Sequence, residues 1–418
     1  MNLNPLAIAV TRFSAGGDYY PALPLDFRTN EALDSRITFT RASNATYFNS
    51  SGVLQTAGSG VARANQYQDY NPSTLAPLGF LIEEQRTNLL LQSADFGTSW
   101  GASNTTVTTN STASPDGGTN ADTIAHTAAG GAINQTTQAF TAGSTVTFSV
   151  FAKKNASNFV RLEIGNLVNC WFNLNTGATA TNNAGSGNVL FSAKSIQAIN
   201  NGWYRCVLTV TTTVVTSLAV LIYATNADNT TSANGSSIYV WGAQAEVGAF
   251  ATSYIATTTA AATRLADVAS ITGANFSSFW TASEGTVVVR GDYSYIATGQ
   301  PGLVRADDGT DGERMMLAIT GGTQRFTIVD GSVEVADISR TGVIVGTPFA
   351  QAAAYKVNDC ASVVNGGTAG TDATVSIPTV TTMRFSRTIG ADYPNGHIQS
   401  LSYYNKRLSN ETLQALTV

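Results

Sequence analysis

The chain has 418 residues and a formal net charge of −5, with only 12% charged residues against the ~25% usual in globular proteins. Its basic residues are scattered singly, the longest run being Lys153-Lys154; no stripe could neutralise phosphates, which excludes a nucleic-acid partner held by bulk electrostatics. The length exceeds one hydrophobic core, so two or three domains are expected, and no run approaches the ~18 apolar residues of a membrane span.

Thr, Ser and Asn replace the missing charge. Thr favours strands, while Asn, Ser and Gly favour turns. The apolar run Leu6 to Val10 is short and follows no positive residue, so it does not read as a secretion signal. Residues 1–35 show little periodicity, and Pro21 and Pro24 bracket a short extended piece. Such a segment is either an attachment arm that orders on a partner or a frayed terminus.

Residues 36–96 read as a hairpin followed by a linker. ITFTRASNATY, from Ile37 to Tyr47, alternates like a half-buried strand; Asn49 to Gly52 supply a turn, and Val53 resumes. PLGFLIEEQRTNLLLQSADF, from Pro77 to Phe96, then crowds apolar residues around Glu83, Glu84, Arg86 and Asn88. Arg86 and Asn88 suit carbonyl or carboxylate partners, so these four residues read as a brace between neighbouring units.

Residues 97–256 begin with a Thr/Asn/Gly-rich stretch broken by Pro115. Sharper alternation follows in TVTFSVFAKK at 145–154, FVRLEI at 159–164, NGWYRCVLTV at 201–210, LAVLIYA at 218–224 and IYVWGAQAEV at 238–247. Strands at this spacing, parted by Asn/Gly/Ser turns, indicate an antiparallel sandwich or jelly roll. Residues 257–263 read as a short linker, and 264–418 repeat the β pattern. The chain closes with one helix, for which Ser409 is the N-cap, Glu411 sits in the first turn, and Leu408 staples to Leu413. The expected fold is all-β: two antiparallel β-sandwich (jelly-roll) domains in tandem, preceded by an extended N-terminal attachment segment and hairpin.

Catalytic signatures are sparse. The two histidines are His126 and His397, and no metal-protease, phosphate-loop or dinucleotide motif occurs. Gly97 to Gly101 matches the G-x-S-x-G string but lacks the strand and helix it requires. Arg290-Gly291-Asp292 ends a strand and reads as a chance tripeptide. A glycosidase needs two carboxylates at a set separation; Glu163 and Glu246 lie in separate β runs that could share a face. No catalytic residue is assigned, and the chain is not expected to be an enzyme. Cys170, Cys206 and Cys360 are odd in number and widely spaced, as buried apolar residues would be, with a Cys170–Cys206 bridge as the alternative.

Two binding readings remain. Asp307, Asp308 and Asp311 surround glycines, an arrangement of hard oxygens that calcium favours, although an acidic solvated loop reads the same way. Sugar rings stack on aromatic faces. Trp100, Trp203 and Trp241 fall at core positions, whereas Trp171 and Trp280 abut polar turns and are the candidate carbohydrate-binding residues.

ITFTRASNATY, GVLQTA at 52–57 and GFLIEEQRTNLLLQSADF together resemble a module of tailed-phage virion proteins of the head spike or tail fibre type. IYVWGAQAEVGAFATSYIATT at 238–258 resembles the end of a carbohydrate-binding-module-like jelly roll. TRLADVASI at 263–271 resembles the start of the next unit, and the C-terminal HIQSLSYYNKRLSNETLQAL is similar to the end of a laminin-G/concanavalin-like sandwich. One departure is Gln66 to Pro72, where relatives often carry an Arg-Phe-Asp-Tyr-Asp-Pro-like run. The resemblance implies a virion protein made in the host cytoplasm. It would join other virion proteins through its N-terminal segment, form a homo-oligomer of trimeric type, and display lectin-like domains to a host-surface glycan. A head fibre or decoration protein with a structural role, and a polysaccharide-active enzyme, are the alternatives.

Overall fold

A computed structural model describes residues 19–295, 300–385 and 393–418. Alternation places the strands. In Thr145–Lys154, Val146, Phe148 and Val150 turn to one side and are at most 1% exposed. This strand lies between Trp203–Thr212 and Ser237–Val247 in a seven-stranded antiparallel sheet. Facing it is a six-stranded sheet in which Phe159–Ile164 pairs with Val168–Asn173 and Thr216–Thr225. Leu162, Ile164, Cys170 and Ile222 from the second sheet meet Phe148, Val150 and Leu208 from the first in one core. These strands, Gly101 to Val247, make the first sandwich.

The second sandwich pairs an eight-stranded sheet, centred on Glu284–Gly291 and Gly396–Tyr404, with a seven-stranded sheet containing Gly302–Asp307, Arg314–Thr320 and Thr323–Asp330. Val289, Ile398 and Leu401 face Leu317, Ile328 and Met383 across its core. The chain is therefore all-β with two antiparallel sandwiches. Among the described residues, no helix is long and apolar enough to cross a membrane. The C-terminal helix Asn410–Leu416 starts at Ser409, whose hydroxyl accepts the Thr412 N–H at 3.3 Å. Leu408 and Leu413 are buried in one cluster against Val288 and Val363. All three cysteines are buried and free.

The N-terminal fifth behaves differently from its sequence reading. Residues 1–18 of the expected attachment arm lie outside the described residues. Leu23–Asp26, expected to be weakly structured, is a strand on Gly396–Tyr404, with Leu23 opposite Tyr403. Leu23 and Leu25 enter the second core and Pro24 and Asp26 face out, an alternation too short to register in the sequence. The hairpin is Ala45–Phe48 with Leu54–Ala57; Thr38–Thr40 instead pairs with Val268–Thr272. Pro77–Ile82 pairs with Gly396–Tyr404, and its Phe80 and Ile82 are 0% exposed in the second core. Gly79 has φ +100°, and a Cβ there would sit 2.5 Å from the Ile398 carbonyl oxygen, so this close pairing requires glycine.

Residues 36–96 are thus divided: Thr38–Thr40, Asp69–Tyr70 and Pro77–Ile82 join the sheets of the second sandwich, while the hairpin forms a two-stranded sheet of its own. The first sandwich is inserted between strands of the second. Its incoming strand Arg86–Asn88 and outgoing strand Ala262–Arg264 pair with each other. The expected linker is held down: the Ser93 N–H reaches the Thr257 carbonyl at 3.2 Å, and the Thr257 hydroxyl the Leu90 carbonyl at 2.6 Å.

Candidate functional site

Where the sandwiches meet, the chain buries an ionic network. Glu83 ends the strand Pro77–Ile82 and is 5% exposed; Arg63, Arg264 and Asp267 are at most 1% exposed. Arg63 Nη1 donates to Glu83 Oε2 at 2.7 Å and Nη2 to Asp267 Oδ2 at 2.5 Å. Arg41 Nη1 donates to Asp267 Oδ1 at 2.8 Å, and Arg264 Nε lies 3.6 Å from Glu83 Oε2. Ser253, just past the first sandwich, gives its N–H to Glu83 Oε1 at 2.8 Å and its hydroxyl to Oε2 at 2.6 Å. Burial alone would raise the Glu83 pKa, but Arg264, Arg63 and Ser253 outweigh it and hold the carboxyl well below its usual range. Such a network fixes how two bodies join; it leaves no carboxylate free for proton transfer.

The other brace residues lie beside it. Arg86 pairs with Glu84, and its guanidinium lies 5.0 Å from the centroid of Phe250. Asn88 Nδ2 donates to the carbonyls of Ala243 and Ile255 at 3.0 and 2.8 Å, while its Oδ1 accepts from Ala245 N–H at 3.1 Å. Gly248 has φ +147°, and a Cβ there would collide with the Arg86 guanidinium. The stretch 77–96 is therefore half strand of one sandwich and half tie to the other. Its partners Arg63 and Asp267 carry no sequence signal, being isolated charges far from Glu83 along the chain.

The two histidines are structural in opposite ways. His397 Nδ1 lies 3.2 Å from both Asp292 carboxylate oxygens and Nε2 3.0 Å from Asp69 Oδ2. Burial would lower its pKa, but the two carboxylates push it up to about 10, so both nitrogens carry protons. His126 Nε2 accepts the Ala224 N–H at 2.8 Å, and burial lowers its pKa to about 4. The Arg290-Gly291-Asp292 tripeptide is part of this packing: Asp292 holds His397, and Arg290 Nη2 donates to the Leu416 carbonyl at 2.9 Å.

A second polar cluster lies on the outer face of the six-stranded sheet, where Glu163 and Asn169 are buried and Arg161 is half-buried. Val160, Leu162 and Ile164 turn to the core, which sends Arg161 and Glu163 outward. Register puts Arg161 between Trp171 and Tyr223, and Glu163 between Asn169 and Leu221. The Arg161 guanidinium lies 4.3 Å from the Tyr223 ring centroid and 5.2 Å from that of Trp171, and it ion-pairs with Glu163. Asn183 Nδ2 donates to Asn169 Oδ1 at 2.8 Å. Burial, and then the Glu163 charge, push the Tyr223 hydroxyl up to about 12. Tyr223 and Leu221 are half-buried and Asn183 is exposed. The face thus offers amides, a carboxylate, a guanidinium and a phenol in one plane, the donor and acceptor set that hydroxyl-rich ligands need. FVRLEI and LAVLIYA contained this signal; only Glu163 was singled out from them.

The residues expected to bind sugar or metal have other surroundings. Trp171 is 3% exposed, and its indole N–H donates to the Thr230 carbonyl at 3.0 Å. It stands beside Arg161 on the same face, hydrogen-bonded to the loop that carries Thr230, and presents no open ring. Trp280 stacks on Tyr403, Phe276 and Tyr355 with centroids 4.8 to 5.3 Å apart, against the second core. Asp307, 0% exposed, accepts from Arg305 Nε at 2.6 Å and Arg384 Nε at 3.0 Å, and Asp311 from Arg305 Nη1 at 2.7 Å. Asp308 accepts from the Thr310 N–H at 2.8 Å. Guanidiniums thus occupy the side on which calcium was expected. Among the described residues, no group of three or more His, Cys, Asp or Glu is disposed to hold a metal. Glu163 and Glu246 project from opposite outer faces of the first sandwich, whose sheets are ~10 Å apart; they do not form the carboxylate pair of a glycosidase.

No family model and no curated protein matches the chain. Among solved structures, the Ruminococcus gnavus IT-sialidase CBM40 bound to alpha2,3 sialyllactose is similar at 18% identity, over 33% of this chain and 84% of that one, with a TM-score of 0.29. The K499G mutant of NanB sialidase from Streptococcus pneumoniae is similar at 16% identity over 35% of this chain and 26% of its own, with a TM-score of 0.30. A receptor binding domain of botulinum neurotoxin mosaic serotype C/D is similar at 11% identity over 36% of this chain and 39% of its own, also with a TM-score of 0.30. These are partial likenesses to carbohydrate- and receptor-binding proteins, and no residue role is carried over from them.

Proposed function

We propose that this chain is a virion surface protein of the tailed-phage fibre or spike type, and that its first sandwich adheres to host-surface glycans. The observation that carries the adhesive reading is the outer face around Arg161, Glu163, Tyr223, Asn169 and Asn183, a polar cluster that takes no part in joining the two sandwiches and that Arg161, Tyr223 and Asn183 leave partly accessible to solvent. The phage setting rests on the resemblance of 37–57 and 79–96 to virion modules. In this reading residues before Leu23 dock on other virion proteins, the chain assembles as a trimer, and many copies per particle raise the effective concentration enough for weak contacts to hold.

The test is binding of the purified full chain to host cells and to a glycan array, with Arg161→Ala and Glu163→Gln as variants. Binding that both variants remove, with unchanged thermal unfolding, supports the proposal. Absence of binding by the unmodified chain, together with a capsid location by electron microscopy, replaces it with a head fibre or decoration protein. Release of reducing sugar that Glu163→Gln abolishes replaces it with an enzyme.

A further inference from the structure

On the sheet that carries the patch, register turns Trp171 outward beside Arg161, while its neighbours Cys170 and Phe172 enter the core. An outward indole that is only 3% exposed must have something lying across it. The cover is the segment 226–231, which leaves this sheet after Thr225 and leads into the other sheet at Ser237. Strand order places Thr216–Thr225, Phe159–Ile164, Val168–Asn173 and Ala178–Asn183 side by side. The segment starts on the first of these and bonds to the last: Asp228 Oδ1 accepts the Thr181 N–H at 3.0 Å and Oδ2 the Thr181 hydroxyl at 2.8 Å. Three strand spacings make that reach about 14 Å, and the path crosses the strand of Trp171, whose indole N–H donates to the Thr230 carbonyl.

The two ends of this segment are fixed and its middle is not. Thr225 and Ser232 are 0% and 1% exposed. Just before Thr225, the Ala224 N–H is held by His126 Nε2 at 2.8 Å. The Ser232 hydroxyl donates to the Gly131 carbonyl at 2.8 Å, and the Ser232 carbonyl accepts the Gly130 N–H at 3.2 Å. Every residue from 226 to 231 is exposed, and the run Asn-Ala-Asp-Asn-Thr-Thr brings no bulky apolar side chain to the indole it covers. Hydrogen bonds near solvent, each of small net worth, hold such a span in place of apolar burial. That is the physical signature of a segment that opens locally while its surroundings stay folded. Lifting it would uncover a flat apolar ring on the same face as Arg161, Glu163 and Tyr223, and a sugar ring stacked there would restore the lost contact.

We propose that 226–231 is a strap over a stacking site: when it lifts, Trp171 joins the patch as a platform for the apolar face of a sugar ring. The inference rests on the adhesive reading of that patch. Its test is the full chain carrying Asp228→Ala, which cuts both bonds to Thr181 and leaves Arg161, Glu163, Tyr223 and Trp171 in place. Without ligand, two readouts follow the strap: hydrogen exchange at the Thr181 amide, and acrylamide quenching of Trp171 emission, taken as the difference from Trp171→Leu. Each should rise about three- to tenfold with thermal unfolding unchanged. Binding to host cells or to a glycan array should tighten by up to the same factor, because a larger fraction of the chain is competent to bind. Adding Trp171→Leu to Asp228→Ala should abolish that gain. Exchange and quenching that stay as in the unmodified chain would overturn the strap, and so would binding that is unchanged or weaker once Trp171 is open. If Trp171 opens but neither form binds any cell or glycan, the adhesive reading falls and takes the strap's role with it. Solvent access to Trp171 tells these failures apart.

Discussion

The two outer faces of the first sandwich are built by the same alternation and have opposite fates. On the seven-stranded sheet, Gln244, Glu246, Ser149 and Thr147 are 0% exposed, because the chain returns over them after Val247. Glu246 accepts from Gln244 Nε2 at 2.8 Å, Thr252 N–H at 2.9 Å and Thr252 Oγ1 at 2.8 Å. On the six-stranded sheet Arg161 and Glu163 have chiefly each other and Tyr223. Sequence decides which residues point outward; the path of the chain afterwards decides whether they become a joint or a surface. A polar group with every lone pair assigned serves the joint, and one with capacity to spare can serve a ligand.

The largest test of that contrast is Asp267→Ala. It removes the carboxylate that Arg41 and Arg63 share at 0% side-chain exposure, leaving Arg41 only carbonyl partners, and removing one partner of a buried pair costs about 3–5 kcal/mol. Urea unfolding should show this loss; a loss below ~1 kcal/mol, the range of exposed pairs, would mean that the junction is solvated. Next come the histidines. The folded-state pKa of His397 is about 10 against ~6.5 unfolded, so its stabilisation is complete below pH 6.5 and is lost as pH rises towards 10. His126, at about 4, acts oppositely: its contribution is present above pH 6.5 and is lost as pH falls to 4. Thermal unfolding across pH 5–10 should decline at both ends, and His397→Gln should remove the alkaline part only. An alkaline decline of unchanged size in that variant would sink the assignment.

Two smaller effects sharpen the comparison. Glu246→Gln should cost about 1–3 kcal/mol, since it places an amide donor against donors, while Glu163→Gln should cost less, because its partner Arg161 keeps some contact with solvent. Equal losses would erase the distinction between the faces. Arg86→Ala removes the pair with Glu84 and the contact over Phe250, for about 1 kcal/mol. It should raise protease nicking near 248–258 and leave glycan binding at the patch unaltered; loss of that binding with normal folding would contradict its role as a tie.

Local features were legible in the sequence. Alternation placed Thr145–Lys154 and Trp203–Thr212, and the Ser409 cap placed the final helix, because each depends on neighbours within a few residues. What escaped was long-range. Thr38–Thr40 meets Val268–Thr272 and Glu83 meets Asp267, pairings set by a sandwich that closes only after the inserted one is made. Trp171 was read as abutting a polar turn and so a candidate for exposure; the loop carbonyl of Thr230 that covers it could not be seen from its neighbours. Arg205 looked like one more alternating residue; its bonds to the Thr252 carbonyl and to Ser149 Oγ depend on the chain that returns after Val247.

The pairing of Leu23 with Tyr403 also sets an order of events during synthesis. About 380 residues separate these positions, so at roughly 5–20 residues per second the leading strand waits on the order of 20–80 s for its partner. The inserted sandwich has all its strands long before then and can close first, carrying its two ends together through Arg86–Asn88 and Ala262–Arg264. During that interval Leu23, Leu25, Phe80 and Ile82 are bare. The nascent chain therefore needs either a chaperone or quick neighbours of its own kind, and a truncation before Gly396 should yield a folded insert on an aggregating frame.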